Sequence, residues 1–319
     1  MEESFAPSVI IEPHTVDTSE AVTELRHPLL RSLKELALDL LHDWVAMIGL
    51  IGLIILLVMA VTAPHISPYD PAKQSLRDRF VPPSWMEGGS PEHFLGTDSL
   101  GRDLFSRLIF GARVSLTIGF ITLAVTATFG TFIGVISGYY GGTLDEILMR
   151  WVDIQTAFPG LLVAITIIAM IGPSVENLIL VLAINGWLIF ARIARGMTLS
   201  LREQVFVRAA RVAGCRDRRI IIVHILPNLI SPLLTISVME LARFILAEAA
   251  LSYLGLGIQP PDSSWGLILA QGRDYLVNAW WVVTFPGVVI AMTVLFINMV
   301  AGWLRSVSDP HQRFKLRNS

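Results

Sequence analysis

Long apolar runs separated by short charged stretches dominate the chain. A helix that crosses a bilayer needs about 20 mostly apolar residues. About six runs reach that length, near 44–62, 114–137, 154–171, 178–193, 232–256 and 281–303. Pro159 and Pro286 fall inside two of them and predict kinks, because proline lacks a backbone donor and crowds the preceding turn. The first run begins only at Trp44, whereas a secretory signal has a short leader and a shorter apolar stretch. It reads as an uncleaved anchor. Residues 1–27 are polar and poor in aromatics, the pattern of a loosely held tail.

The basic residues orient these runs. Eight arginines lie between Arg192 and Arg219, opposed only by Glu203 and Asp217. Short loops rich in Lys and Arg stay in the cytoplasm. With six spans, this loop, the segment before the first span (Arg26, Arg31, Lys34) and the segment after the last (Arg305, Arg313, Lys315, Arg317) share that side. Both ends are then cytoplasmic, and the long segment 64–111 and the segment 257–279 face outward. The reading divides the chain into a cytoplasmic tail 1–39, a first transmembrane helix with an external loop 40–111, a five-helix core 112–305 holding the loop 196–230, and a cytoplasmic tail 306–319.

Composition agrees with an all-α integral membrane protein. The 319 residues are 53% hydrophobic and 16% charged, against roughly 25% charged in soluble domains. A net charge of -2 leaves no footprint for nucleic acid. The single cysteine, Cys215, rules out an internal disulfide framework.

Within the arginine-rich loop, Phe206, Ala209, Ala210 and Ala213 recur at helical spacing, and Gly214 permits a sharp turn before the apolar run from Ile220 to Leu226. The segment reads as two short helices joined by a turn, against the plainer alternative of a basic loop lying on lipid head groups. Its pattern resembles the signature loop of inner-membrane subunits of ATP-binding-cassette importers: Glu-Ala-Ala, three residues, Gly, nine residues, Ile-x-Leu-Pro. Ala209, Ala210, Gly214, Leu226 and Pro227 match. Arg208 replaces the usual Glu and His224 the Ile, the latter as in the dipeptide/oligopeptide/nickel branch.

Further stretches resemble the C-type permeases of that branch: Phe94-Leu-Gly-Thr-Asp-Ser-Leu-Gly-Arg-Asp103 before the second span, Ser67-Pro-Tyr-Asp-Pro71 after the first, and Glu248-Ala-Ala-Leu-Ser-Tyr-Leu-Gly-Leu-Gly257 in the fifth. The resemblance covers about 40–313. It implies a permease of the bacterial inner membrane that carries dipeptides, oligopeptides or a related solute such as glutathione, a nickel chelate or an opine. The implied partners are a homologous second permease, two ATPase subunits holding the ATP and Mg, and an extracytoplasmic substrate-binding protein, with membrane lipid around them. It also implies that the loop 203–227 is a coupling helix seated in an ATPase cleft, with Ala209, Ala210, Arg211, Ala213, Gly214, Cys215, Arg216 and Asp217 in contact.

Two other groups stand out. Gly96, Thr97, Asp98, Arg102 and Asp103 form either a salt-bridged external cap that faces the binding protein or a loop that fixes the second span. Glu240, Arg243 and Glu248 lie in the fifth span, where each charge costs about 2.5–3.5 kcal/mol on insertion scales and therefore needs a partner or a cavity. Glu240 and Arg243 are spaced to pair on one helix face, and Glu248 lies within reach of Ser252. They line the substrate route or gate, or else lock helices together. Arg150 and Asp153 read as a local ion pair, and Gly138-Tyr-Tyr-Gly-Gly142 as a tight turn.

No phosphate-binding Gly-x-x-x-x-Gly-Lys loop occurs, so no ATP site is expected in this chain. No His-Glu-x-x-His, Cys-x-x-Cys or Gly-x-Ser-x-Gly occurs either, so neither a metal site nor a catalytic centre is expected. A stand-alone secondary carrier or channel and a membrane-embedded enzyme are the competing classes.

Overall fold

The computed structural model describes residues 39–308; the predicted tails lie almost wholly outside them. The chain divides between Trp44 and Val45. Of the first unit only residues 39–44 are described, and 39–42 form a helical turn. The second unit holds the fold. Its helices are α1 (Trp44–Ile66), α2 (Leu104–Tyr140), α3 (Gly142–Thr156), α4 (Gly160–Ile171), α5 (Val175–Arg202), α6 (Val205–Val212), α7 (Asp217–Tyr253), α8 (Trp265–Gly272) and α9 (Trp281–Ser308). No strand forms among the described residues.

Five helices, α1, α2, α5, α7 and α9, are each long and apolar enough to cross a membrane. Between α3 and α4 the chain bends by 84°. The bend falls at Pro159, which caps α4 from extended backbone. The expected third span is thus a broken helix, and packing shows that it still makes a crossing. Gly130 lies against Trp187 and Phe190, Gly134 against Ala191 and Ala194, and Gly138 against Arg195 and Thr198. Contact positions rise together, so α2 and α5 run parallel, and the chain between them has to return across the membrane. It does so alongside α5 in descending order. Asp145 pairs with Arg195, Asp153 with Arg192, Gln155 bonds the Ile184 carbonyl, and Ile168 packs with Leu178 and Val181. Six crossings result. Helices α2 and α7 are antiparallel, with Ser115 opposite Glu248 and Gly119 opposite Leu241 and Ile245. Helices α1 and α9 are antiparallel too, with Gly49 opposite Met299 and Gly52 opposite Phe296.

The α2–α5 seam has a simple cause. Three glycines at four-residue spacing remove the side chains from one stripe of α2, so the α5 backbone approaches closely. Small residues at this spacing drive helix association in lipid, where hydrophobic burial adds little.

Several boundaries differ from the sequence reading. Helix α2 begins at Leu104 rather than near 114, because Asp103 caps it: Asp103 Oδ2 accepts from the Ser106 amide at 2.8 Å. The charged Arg107 is accommodated inside the protein, fully buried. Helix α5 continues through Arg192 and Arg195 to Arg202, so the basic loop proper starts only at Glu203. Arg192 pairs with Asp153 at 2.9 Å, which replaces the expected Arg150–Asp153 pair. Gly138, Tyr139 and Tyr140 complete α2, and the turn itself is made by Gly141 and Gly142, both at positive φ. Pro286 lies within an uninterrupted α9.

Candidate functional site

The arginine-rich segment forms a short helix, a tight turn and a second helix. Helix α6 ends at Val212, and its terminal carbonyls are closed by two bonds: the Gly214 amide donates to Arg211 O and the Cys215 amide to Ala210 O, both at 3.0 Å. This Schellman closure requires a left-handed residue, and Gly214 supplies it at φ +77°. Space around the Gly214 α-carbon is open, so the backbone conformation rather than crowding selects glycine.

The helix has two unlike faces. Val207 is fully buried, and Ala210 and Cys215 pack with it against Ile220, Ile225 and Leu229. The other face is open: Val205 is 73% and Val212 90% exposed, and Phe206, Ala209, Ala213 and Gly214 are exposed with them. The periodicity groups Ala210 with Ala209 and Ala213. The structure separates them, because the residues after the turn fold back over the Val207 side. Ala210 and Cys215 therefore support the turn from within, and Ala209, Arg211, Ala213, Gly214, Arg216 and Asp217 lie at its surface.

The second arm begins at Asp217 and includes a π-helical stretch, Ile220–Ile225, just ahead of Pro227. Pro227 has no N–H to donate back into that turn. The arm then runs on as α7, 37 residues in all, or roughly 55 Å at 1.5 Å per residue. This exceeds the bilayer core of about 30 Å, so the first turns of α7 stand outside the apolar layer with α6. The adjoining Tyr139 raises the pKa of Arg211 above its ordinary value.

At the opposite end of α2 the five outer residues do not face outward. Gly96, Thr97, Asp98, Arg102 and Asp103 are all buried. Asp98 accepts from Arg102 Nε at 2.7 Å and from Arg107 Nη1 at 2.5 Å. Gln271 Oε1, on α8, accepts from Arg102 Nη2 at 2.7 Å and Arg107 Nη2 at 2.8 Å. Thr97 O accepts from Trp281 Nε1 at 3.1 Å. Asp103 stands apart from the arginines and binds Ser106 and His93. Of the two sequence alternatives, this burial fits the loop that fixes the second span: the residues form an internal bolt joining the outer loop, α2, α8 and α9.

The three charges of α7 also separate. Glu248 is fully buried; it accepts from Ser115 Oγ of α2 and Ser252 Oγ, both at 2.8 Å. Ser252 Oγ in turn accepts from the Ile258 amide and Ser115 Oγ from the Trp265 amide. Glu248 is thus enclosed by its own chain and locks helices, rather than lining an open route. Glu240 is buried as well, but its partner Arg243, 3.3 Å away, has a side chain 55% exposed. Arg243 lies ten residues before the outer end of α7, about 15 Å at helical rise and hence near mid-bilayer. Nearer the other end, α2 and α7 enclose an apolar groove of about 800 Å³, with Thr131 and Ser237 on its walls and Arg218 at its edge. Among the described residues no group of His, Cys, Asp and Glu gathers as a metal site.

A bundle of six membrane crossings, with an amphipathic helix and turn projecting between two of them, is the architecture of a multi-pass transport permease. The profile of the binding-protein-dependent transport system inner membrane component matches residues 130–314, and that of the N-terminal transmembrane domain of oligopeptide transport permease C matches residues 33–83. The chain is 39% identical over 287 residues to the di/tripeptide transport system permease protein of Pseudomonas aeruginosa, covering 90% of this chain and 93% of that one. It is 42% identical over 265 residues to the dipeptide transport system permease protein of Escherichia coli K12, covering 83% and 88%. Among solved structures, an inward-facing MetNI methionine ABC transporter shares the fold, with a TM-score of 0.54 at 17% identity over 65% of this chain and 98% of that one. The chain belongs to the family of binding-protein-dependent transport system inner membrane components.

Sequence reasoning located the helix–turn–helix but missed Tyr139, which contacts both arms of it, and Gln271, which completes the outer bolt. It also missed the glycine seam of α2, although Gly130, Gly134 and Gly138 stand at a spacing readable from the sequence alone.

Proposed function

We propose that this chain is one of two homologous permease subunits of an ATP-driven importer of di- and oligopeptides. ATP and Mg are held and used by two separate ATPase subunits, and an extracytoplasmic binding protein delivers the peptide. The observation that carries the reading is the α6 surface. A short rigid helix presents small and apolar side chains to the aqueous cytoplasm, where an isolated apolar face of this kind marks a protein contact. It sits directly between two spans, so movement of a docked partner is passed on as a rigid-body displacement. The peptide class is supported by the relatives named for di/tripeptide and dipeptide transport.

The half-exposed Arg243 belongs to the same reading. A cation at mid-bilayer faces a partner or a wet cavity. We place it toward the second permease, where the two subunits enclose the route. The decisive experiment is co-purification followed by uptake in proteoliposomes. The chain should be recovered with a Walker-type ATPase and a second permease, and should accumulate radiolabelled dialanine only with ATP inside and binding protein outside. A chain that purifies alone and transports on an ion gradient would refute the proposal.

A further inference from the structure

We infer that Tyr139 is the positioning residue that makes α2 move with the coupling turn; the inference rests on the coupling role proposed for α6. Helices α5 and α7 are covalently continuous with the two arms of that turn, so any push on α6 reaches them through the backbone. Helix α2 has no such connection, yet it forms one wall of the groove whose other wall is α7. The glycine seam holds α2 against α5 along its length, and a tie from the end of α2 to the turn itself would make the groove wall follow the turn directly.

Tyr139 lies in the last turn of α2 and is only 6% exposed. Its hydroxyl donates to Asp217 Oδ1 at 2.6 Å. The Arg211 guanidinium carbon lies 5.7 Å from the centre of its ring. Arg211 and Asp217 stand three residues before and three residues after Gly214. One side chain of α2 thus grips both arms of the turn, by a charge-assisted hydrogen bond on one side and a cation–π contact on the other. Its ring also joins the apolar cluster of Val135, Val207, Ile220 and Ile225, which fixes the ring in place while Arg211 and Asp217 stay at the surface. A second tie holds the same helix end in register: Arg202 Nη1 at the end of α5 donates to Gly138 O at 2.9 Å. With both arms of the turn attached to one side chain, a shift of α6 pulls on the end of α2.

The test uses the complete transporter in proteoliposomes, with Cys215 replaced by Ser and single reporter cysteines at Thr131 on α2 or Ser237 on α7, both on the groove walls. Maleimide labelling rates are compared without nucleotide and after trapping with ATP and vanadate. In the otherwise native protein both reporters should change rate. In Tyr139→Phe, which keeps the ring and loses the hydroxyl, the Thr131 response should be lost and the Ser237 response kept, and ATP hydrolysis should continue while uptake of dialanine falls. A Thr131 response that survives Tyr139→Phe overturns the inference. If Tyr139→Phe fails to assemble, Asp217→Ala removes the acceptor of the same bond and should give the same split between reporters; an intact Thr131 response there is equally fatal. A transporter in which neither reporter responds in the native background would instead remove the coupling role of α6, a separate failure.

Discussion

A single glycine defines the turn on which the proposed docking surface rests. Gly214 holds a left-handed conformation that a β-branched residue adopts only with strain. In Gly214→Val, we expect insertion and assembly to remain intact and uptake per ATP hydrolysed to fall about tenfold, the scale of the roughly 1–2 kcal/mol such a residue costs in that conformation. Uptake at the native rate would remove the turn from the mechanism. Asp98 is a residue of another kind. It is the one carboxylate shared by Arg102 and Arg107, both buried. Breaking a buried pair by removing one partner costs about 3–5 kcal/mol, so Asp98→Ala should lower the melting midpoint sharply and reduce yield. The variant Asp103→Ala, which removes a helix cap, should cost about 1 kcal/mol. Equal midpoints for the two variants would contradict the bolt. Reading these residues from the sequence succeeded where the chemistry is local. The Ala-Ala-x-x-x-Gly spacing encodes its own turn within six residues. It failed where partners are remote: Arg107 finds Gln271 across 164 positions, and Asp153 finds Arg192 across 39.

Among the elements, α2 organises the bundle. It is parallel to α5, antiparallel to α7, and begins and ends in polar networks. An added Cβ at Gly134 would meet the Ala191 carbonyl oxygen and lie 2.8 Å from Ala194 Cβ. Even Gly134→Ala should therefore destabilise by about 1–3 kcal/mol, as overpacking does, and Gly134→Leu should abolish a monodisperse peak in detergent. An unchanged elution profile for the leucine variant would exclude the seam. In α7 the Glu240–Arg243 pair separates two roles that the sequence left open. Replacing both with Gln removes both charges together, so that neither is left without its partner, and such a joint replacement is often near neutral. Thermal stability should then hardly change while dialanine uptake falls. Unaltered uptake would make the pair purely structural. The apolar runs revealed every crossing because hydrophobic length is a local property. The 84° break was legible only as a proline, since its angle depends on how α3 and α4 lie against α5.

For the whole molecule, six crossings place the two ends of the bundle on one side, the side that also carries Arg208, Arg211, Arg216, Arg218 and Arg219. Cysteines introduced at Val212 and at Val277, 90% and 93% exposed, should be labelled by membrane-impermeant reagents from opposite sides of a sealed vesicle. Labelling from the same side would overturn the topology. The outer bolt has a consequence for how the protein is made. Asp98, Arg102 and Arg107 leave the ribosome almost together, but Gln271 is synthesised more than 160 residues later. During synthesis two guanidinium groups share a single carboxylate, with four further crossings yet to emerge. A nascent chain halted before α8 therefore keeps guanidinium donors without their amide acceptor at the mouth of its second crossing. Such truncated chains are the ones that membrane quality-control proteases should find first.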